Sequence, residues 1–224
     1  MSAILEAQNL AYISAPKCAC TSIKELIFRI ENNCNFNKIR TNKGAICLQI
    51  NGKNHYIHQF YPSIPYIEQP HHILKKLHNF CVVRDPLDRL VSCYRNRVLR
   101  YGALRPEKIA GLNIDAPSNP NLNQFVEHLD QYIKAPQIHH HTLPLTHFLG
   151  KRADAYKRIF NLQTIEQLPD YLKEYFGRTR SLPHLQTSQT EKKLETSINF
   201  LSPESIKQLR NRYSDDFQYF GKYF

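Results

Sequence analysis

Residues 10–30 read LAYISAPKCACTSIKELIFRI, and this stretch decides the fold class. Leu10 to Ala15 form a short run of apolar and small residues, the composition of a buried strand. Pro16 ends it, because proline has no amide hydrogen to give a ladder. From Ser22 to Ile30 the period changes: Ile23, Leu26, Ile27 and Ile30 fall at i, i+3, i+4 and i+7, one apolar face of a helix. The turn between, Ala15-Pro16-Lys17-Cys18-Ala19-Cys20-Thr21-Ser22, aims backbone N–H groups at one point, and the helix start adds partial positive charge. Lys17 supplies a full charge, Thr21 and Ser22 supply hydroxyls, and Cys18, Ala19 and Cys20 are small enough to let an anion reach the backbone. The simpler reading is a plain strand-to-helix turn capped by Ser22. The G-x-x-x-x-G-K-[ST] loop of nucleoside triphosphatases is absent, since Lys17 precedes the tight turn instead of following it.

The same design recurs downstream. Phe80 to Val83, FCVV, is a second short apolar run that stops at Arg84-Asp85-Pro86. Asp85 as N-cap and Pro86 at the first position are paired helix-start signals. Leu87, Leu90, Val91, Tyr94 and Val98 make the apolar stripe of that helix, which gives its opposite face to Asp88, Arg89, Ser92, Arg95 and Asn96. Arg84 as a planar fork and Ser92 as a hydroxyl two turns along suit one phosphate. The alternative pairs Arg84 with Asp85 or Asp88 and leaves Ser92 merely exposed. Elsewhere, residues 45–60 read as a hairpin, AICLQI then HYIHQF, turning at Asn51-Gly52. Arg105 to Pro120 reads as a loop. The last helix starts at Ser202-Pro203 and carries Ile206, Leu209, Tyr213, Phe217 and Phe220 on one side. Strands alternate with helices early and helices dominate late. The expectation is a single α/β domain over 1–224, with a P-loop-like central parallel β-sheet flanked by helices and a helical C-terminal half.

Composition narrows the function classes. With 224 residues, 42% hydrophobic and 11% aromatic, the chain can bury a core, which excludes global disorder. A formal net charge of +11 predicts a surface that attracts anions: nucleic acid, acidic glycans, anionic lipid or phosphorylated cofactors. No basic segment leads into a long apolar one near the N-terminus, and no run reaches the roughly 18 apolar residues of a spanning helix. Stable membrane insertion is therefore not expected. Cys18, Cys20, Cys34, Cys47, Cys81 and Cys93 read as reduced thiols of a cytoplasmic protein. Cys18 and Cys20 lack a second pair at zinc spacing, and His139-His140-His141 lacks surrounding ligands, so no metal is expected.

Two strand-to-helix anion turns in one α/β domain suit a ligand with two separate phosphate-like ends. The residues that make them resemble the sulfotransferases that use 3′-phosphoadenosine 5′-phosphosulfate (PAPS), most closely the carbohydrate-type branch. PKCACTSIK is similar to that branch's 5′-phosphosulfate loop, and VVRDPLDRLVSCYR is similar to its 3′-phosphate motif, with Arg84 and Ser92 on the phosphate-binding Arg and Ser. Ala19 stands where many relatives carry Gly. Weaker likenesses are His141-Thr142-Leu143-Pro144, His184-Leu185-Gln186-Thr187-Ser188 with Gln186 where Asn is usual, and the last helix with Tyr213, Asp216 and Phe217.

The resemblance implies sulfuryl transfer from PAPS to an acceptor hydroxyl or amine by in-line displacement, without a metal. Lys17 would stabilise the leaving phosphate, and the backbone of Cys18, Ala19, Cys20, Thr21 and Ser22 with the two hydroxyls would hold the phosphosulfate. A general base is expected in the segment between the two motifs. His58 is the choice, at the end of the hairpin with Tyr56 on its face and His55 on the other. His55 is second, and His71 and His72 after Pro70 read as a helix start. The acceptor is a glycan or a small molecule. Arg95, Arg97, Arg100, Lys151 and Arg152 either face an acidic acceptor or form a solvated surface. The competing readings are a small-molecule kinase, which would need a glycine-rich loop and Mg²⁺, and a non-enzymatic basic module for nucleic acid or acidic glycan. No nucleic-acid motif is present, so a nucleic-acid partner is not expected. The oligomeric state stays open.

Overall fold

The computed structural model describes residues 3–33, 39–40, 46–50, 53–183 and 196–224. The chain divides into two compact units, each built from two stretches: Met1–Val83 with Phe148–Thr187, and Arg84–His147 with Ser188–Phe224. Its strands are β1 (Ala3–Leu5), β2 (Leu10–Ile13), β3 (Ile39–Arg40), β4 (Ile46–Ile50), β5 (Lys53–His55), β6 (His78–Val82) and β7 (Arg158–Phe160).

The first unit holds a four-stranded sheet in the order β1-β2-β6-β7. β2 pairs with β6 and β6 with β7 in parallel, with Tyr12 opposite Phe80 and Phe80 opposite Arg158. β2, β6 and β7 are the expected parallel part of an α/β fold, and β1 joins β2 antiparallel, which makes the sheet mixed. The reason is the short link Glu6–Asn9, which turns back at once through a left-handed Asn9 (φ 52). A parallel return needs a crossover of about a dozen residues. β2 is buried along its whole length, as a central parallel strand must be. On it the Tyr12 ring stacks on Phe80 at 5.0 Å, and Phe160 and Tyr171 meet Phe80 edge-on. The helix α1 (Cys20–Glu31) buries Ile23, Leu26, Ile27 and Ile30 completely. Each such side chain contributes about 1.5–3 kcal/mol on leaving water.

The expected hairpin is present in part. β3, β4 and β5 form a small antiparallel sheet, with Leu48 opposite His55. Ala45 and the turn at Asn51-Gly52 lie outside the described residues. The second strand, however, stops at His55. Residues Ile57–Phe60 are a one-turn helix, α2, started by Tyr56, whose N–H donates to the Gln59 side chain at 2.8 Å. The alternation that put Tyr56 and His58 on one strand face therefore does not apply.

The second unit is helical. α3 (Pro86–Cys93) begins as expected: Asp85 Oδ1 accepts the Leu87 N–H at 2.7 Å, with Pro86 at the first position. It runs on into a π-helical stretch, Tyr94–Arg100. Leu87, Leu90, Val91, Tyr94 and Val98 pack with Phe125, Leu129, Tyr132, Leu209 and Tyr213 in one core. Within the expected loop after Arg105 there is a short helix, Pro106–Ile109. The last expected helix is two, α4 (Pro203–Arg212) and α5 (Ser214–Phe220). The break falls at Tyr213, whose hydroxyl donates to the Thr142 carbonyl at 2.7 Å. Among the described residues, no helix is long and apolar enough to cross a membrane.

Candidate active site

The turn after β2 carries two left-handed residues, Lys17 (φ 66) and Ala19 (φ 54). Left-handed backbone costs a non-glycine residue roughly 1–2 kcal/mol, a strain typical of ligand-binding turns. Ala19 is the N-cap of α1 and has no side chain to cap with. The first helical bond runs from the Ile23 N–H to the Ala19 carbonyl, at 3.1 Å. The N–H groups of Cys20, Thr21 and Ser22 come before that bond and are the open donors of the helix start. Ser22 is therefore not the cap of α1. Lys17, Thr21 and Ser22 are half-buried. Cys18 and Cys20 turn their thiols inward, and the Cys18 thiol donates to the Pro16 carbonyl at 3.7 Å. Cys18 thus offers an anion its backbone alone. Burial pushes the Cys81 thiol well above its ordinary pKa, with Cys18 adding to the shift.

His58 stands exposed on α2, beside this turn. Its Nε2 lies 3.0 Å from Thr21 Oγ1, and its Nδ1 lies 3.2 Å from Lys24 Nζ. Lys24 also donates to Ser63 Oγ at 2.9 Å, and Ser63 Oγ lies 2.7 Å from Ser14 Oγ. Sequence reasoning placed His58 at the end of a strand, whereas it lies on α2, and it did not single out Lys24, Ser63 or Ser14 as its neighbours. His55, the second choice, is half-buried on β5, with its ring 6.0 Å from Phe60. His71 opens the short helix His71–Leu74 and rests on Tyr66, ring centroids 4.4 Å apart.

The second motif is ordered around the Asp85 cap. Because Asp85 is spent on the helix N-terminus, it does not pair with Arg84. Among the described residues, Arg84 makes no hydrogen bond or ion pair, with Asp88 or any other group, and the Ser92 hydroxyl makes no hydrogen bond. Both are half-buried. The Arg84 charge instead acts on Arg95, whose pKa is lowered by burial first and by Arg84 second, with Asp88 opposing. Arg95 donates to Thr196 Oγ1 at 2.8 Å. Arg84 thus has a second guanidinium near it and no protein acceptor among the described residues.

Arg89 corrects the reading of the polar face. It is 1% exposed, donates to the Leu143 carbonyl and lies over the Tyr213 ring at 5.9 Å. The buried Asp216 accepts from the N–H groups of Leu145 (2.7 Å) and Thr146 (2.9 Å) and from the Thr146 hydroxyl (3.0 Å). Arg89, Tyr213 and Asp216 thus grip residues 142–146. Tyr213 and Asp216, from the weak likeness in the last helix, thus hold the backbone next to His141 in place. The segment 184–188 lies outside the described residues. Among the described residues, no group of three or more His, Cys, Asp or Glu side chains is placed to hold a metal.

Rat carbohydrate sulfotransferase 11 (Rattus norvegicus) is 34% identical over 95 residues, covering 41% of this chain and 24% of that protein. The zebrafish protein of the same name (Danio rerio) is 34% identical over 100 residues, covering 43% and 26%. The chain thus spans about a quarter of the length of the curated relatives it matches. No solved structure matches it. The family model described as "Sulfotransferase family" matches residues 2–223, both strand-to-helix turns included, and on that match the chain belongs to the sulfotransferase family.

Proposed function

We propose that this chain, acting as one sulfotransferase domain, moves the sulfuryl group of PAPS to an acceptor hydroxyl. The turn Lys17–Ser22 takes the 5′-phosphosulfate, and Arg84 with Ser92 takes the 3′-phosphate. The acceptor oxygen bonds to sulfur while its proton passes to His58. The bond from sulfur to the bridging oxygen breaks, and its electron pair stays on the 5′-phosphate of the departing adenosine 3′,5′-bisphosphate. Lys17 stabilises that developing charge, the position where a fixed cation has most effect. No step needs a metal.

The observation that carries the reading is the 3.0 Å approach of His58 Nε2 to Thr21 Oγ1, a proton acceptor on the anion turn itself. The open Arg84 supports the second half. A sugar hydroxyl is the acceptor we favour, on the printed names of the relatives. A reducing, cytoplasmic setting belongs to the same proposal, supported by Cys18, Cys20, Cys81 and Cys93, which form no disulfide among the described residues.

A thermal-shift titration tests the reading against a kinase or a nucleic-acid module. Adenosine 3′,5′-bisphosphate without metal should stabilise the protein by about 2.7 kcal/mol at a hundredfold excess over Kd. ATP with Mg²⁺ or an oligonucleotide should do much less. Transfer of ³⁵S from labelled PAPS to a panel of glycans and small hydroxyl compounds then identifies the acceptor. Stabilisation by ATP–Mg²⁺ alone, or by oligonucleotide alone, would replace the sulfotransferase reading with the corresponding rival.

A further inference from the structure

α2 is a four-residue helix, and a helix of one turn has no stability of its own. Its place is set by what its side chains touch on α1. His58 lies 3.0 Å from Thr21 Oγ1 and 3.2 Å from Lys24 Nζ. Ile57 is buried against Phe28, and the Phe60 ring lies 5.2 Å from the Phe28 ring. The Tyr61 hydroxyl, just past the end of α2, donates to Glu31 Oε2 at 2.5 Å. Thr21, Lys24, Phe28 and Glu31 stand at i, i+3, i+7 and i+10, one stripe of α1 about 15 Å long. We propose that Tyr61, through its bond to Glu31, is a positioning residue for His58: it is the far clamp that stops α2 from swinging about its near end, and so keeps Nε2 beside the turn Lys17–Ser22. This rests on the reading of His58 as the base.

The near end cannot do this alone. The bonds of Thr21 and Lys24 to His58, and of Lys24 to Ser63 at 2.9 Å, meet within one turn of α1 and leave a pivot there. A base also changes its own hydrogen bonds each time it takes up a proton, so its place must be held by groups outside the reaction. The packing of Ile57 and Phe60 on Phe28 supplies attraction without direction. A hydroxyl on a carboxylate supplies direction, and such charge-assisted bonds are among the stronger ones. Burial raises the pKa of the Tyr61 hydroxyl far above its usual value, with Glu31 adding to the shift, so it remains a donor at every working pH. Glu31 is the last residue of α1, where the helix dipole disfavours a carboxylate. The residue is held there by Tyr61 and by Arg178, which donates to its carbonyl at 3.2 Å.

Tyr61→Phe keeps the ring against Phe28 and Ile57 and removes only the hydroxyl. Glu31 is exposed, so no buried charge is left behind and the fold should hold. The first test uses the full chain with ¹⁵N-labelled histidine, His58 being assigned by its loss in H58Q. Y61F should shift or broaden the His58 ring signals and leave those of His71 and His147 in place; E31Q, which keeps an acceptor but loses the charge, should do the same to a smaller degree. An unmoved His58 in both variants would overturn the proposal. With the acceptor that the ³⁵S panel identifies, Y61F should lower kcat by roughly three- to tenfold, part of the 10²–10⁴ a general base supplies, with KM for PAPS little changed. A bond that only stabilises the fold would not depend on His58, so the double-mutant cycle separates the two roles: with His58 already replaced by Ala, Y61F should cost nothing more. The same cycle run with E31Q stands on its own if Y61F folds poorly. Full activity of H58A would overturn the base reading and this proposal with it. Loss of activity in H58A together with wild-type kcat in Y61F would overturn this proposal alone, as would equal losses from Y61F in the wild-type and H58A backgrounds.

Discussion

Arg84→Ala isolates the 3′-phosphate half of the proposed site. The guanidinium is half-buried and has no acceptor among the described residues, so its removal orphans no protein group. The fold should therefore survive: a urea midpoint within the scatter of surface substitutions is expected, about 0.5 kcal/mol. A charge-assisted hydrogen bond contributes about 1.5–3 kcal/mol. Relief of the repulsion felt by Arg95 takes something back, so the lower half of that range applies. At 1.4 kcal/mol per factor of ten, the Kd for adenosine 3′,5′-bisphosphate should rise by roughly 10- to 30-fold. Adenosine 5′-phosphosulfate, which has no 3′-phosphate, should bind wild type and variant alike. Isothermal titration of both ligands against both proteins, at one fixed salt concentration, gives the four numbers. Equal losses for the two ligands would refute the assignment of Arg84 to the 3′-phosphate.

Lys17→Ala should lower turnover by roughly 10²-fold or more, the scale of one lost oxyanion stabiliser, with little change in melting temperature; near-normal turnover would move the leaving-group cation elsewhere. Ala19→Gly should raise stability by up to about 1 kcal/mol in urea unfolding, because glycine takes a φ of 54 without strain, whereas a loss would mean the Ala19 methyl is packed. Asp216→Ala strips the acceptor from two backbone N–H groups at a 0% exposed position and should cost about 3 kcal/mol or more in the same assay. The folded-state pKa of Lys24 is lowered, so between that value and about 10.4 the unfolded chain holds a proton the folded chain lacks. Stability contributed at this site therefore rises with pH through that window and levels off above it. Buried Tyr12 and Tyr156, with raised pKa values, act the other way at higher pH, so the difference between wild type and Lys24→Met across pH 7–10 is the quantity to measure, and a flat difference would contradict the shift.

Both strand-to-helix turns were legible because their chemistry is local. Asp85-Pro86 writes its own helix start, and the change of period after Pro16 marks α1 within two residues. What sequence did not give depends on partners far along the chain. β1 was passed over because three residues carry no period. α2 was taken for strand because a four-residue helix has none either; its signal was Gln59, three residues after Tyr56, in capping position. Arg89 was read onto a polar face on the rule that a charge opposite an apolar stripe is exposed, and Lys24 was not singled out at all. That rule holds for helices covered on one side. α3 is also covered by Tyr213, and α1 by α2, and there a cation is buried with whatever acceptors the second neighbour brings.

The chain leaves each unit and returns to it, and this bears on how the protein is made. Asp216 and Tyr213, the partners of Leu145 and Thr142, are each 71 residues further along, and Val126 receives a bond from 82 residues away. A ribosome delivers Arg84–His147 long before the residues that close its core exist. Until Leu209 and Tyr213 arrive, Leu87, Leu90 and Phe125 have lost part of their cover, and no local turn can replace it. Contacts of this span slow folding, because the loop must be closed before they reward it. Synthesis thus includes an interval in which a half-finished helical unit shows its apolar face, the state that chaperones bind and that aggregates when expression outruns them.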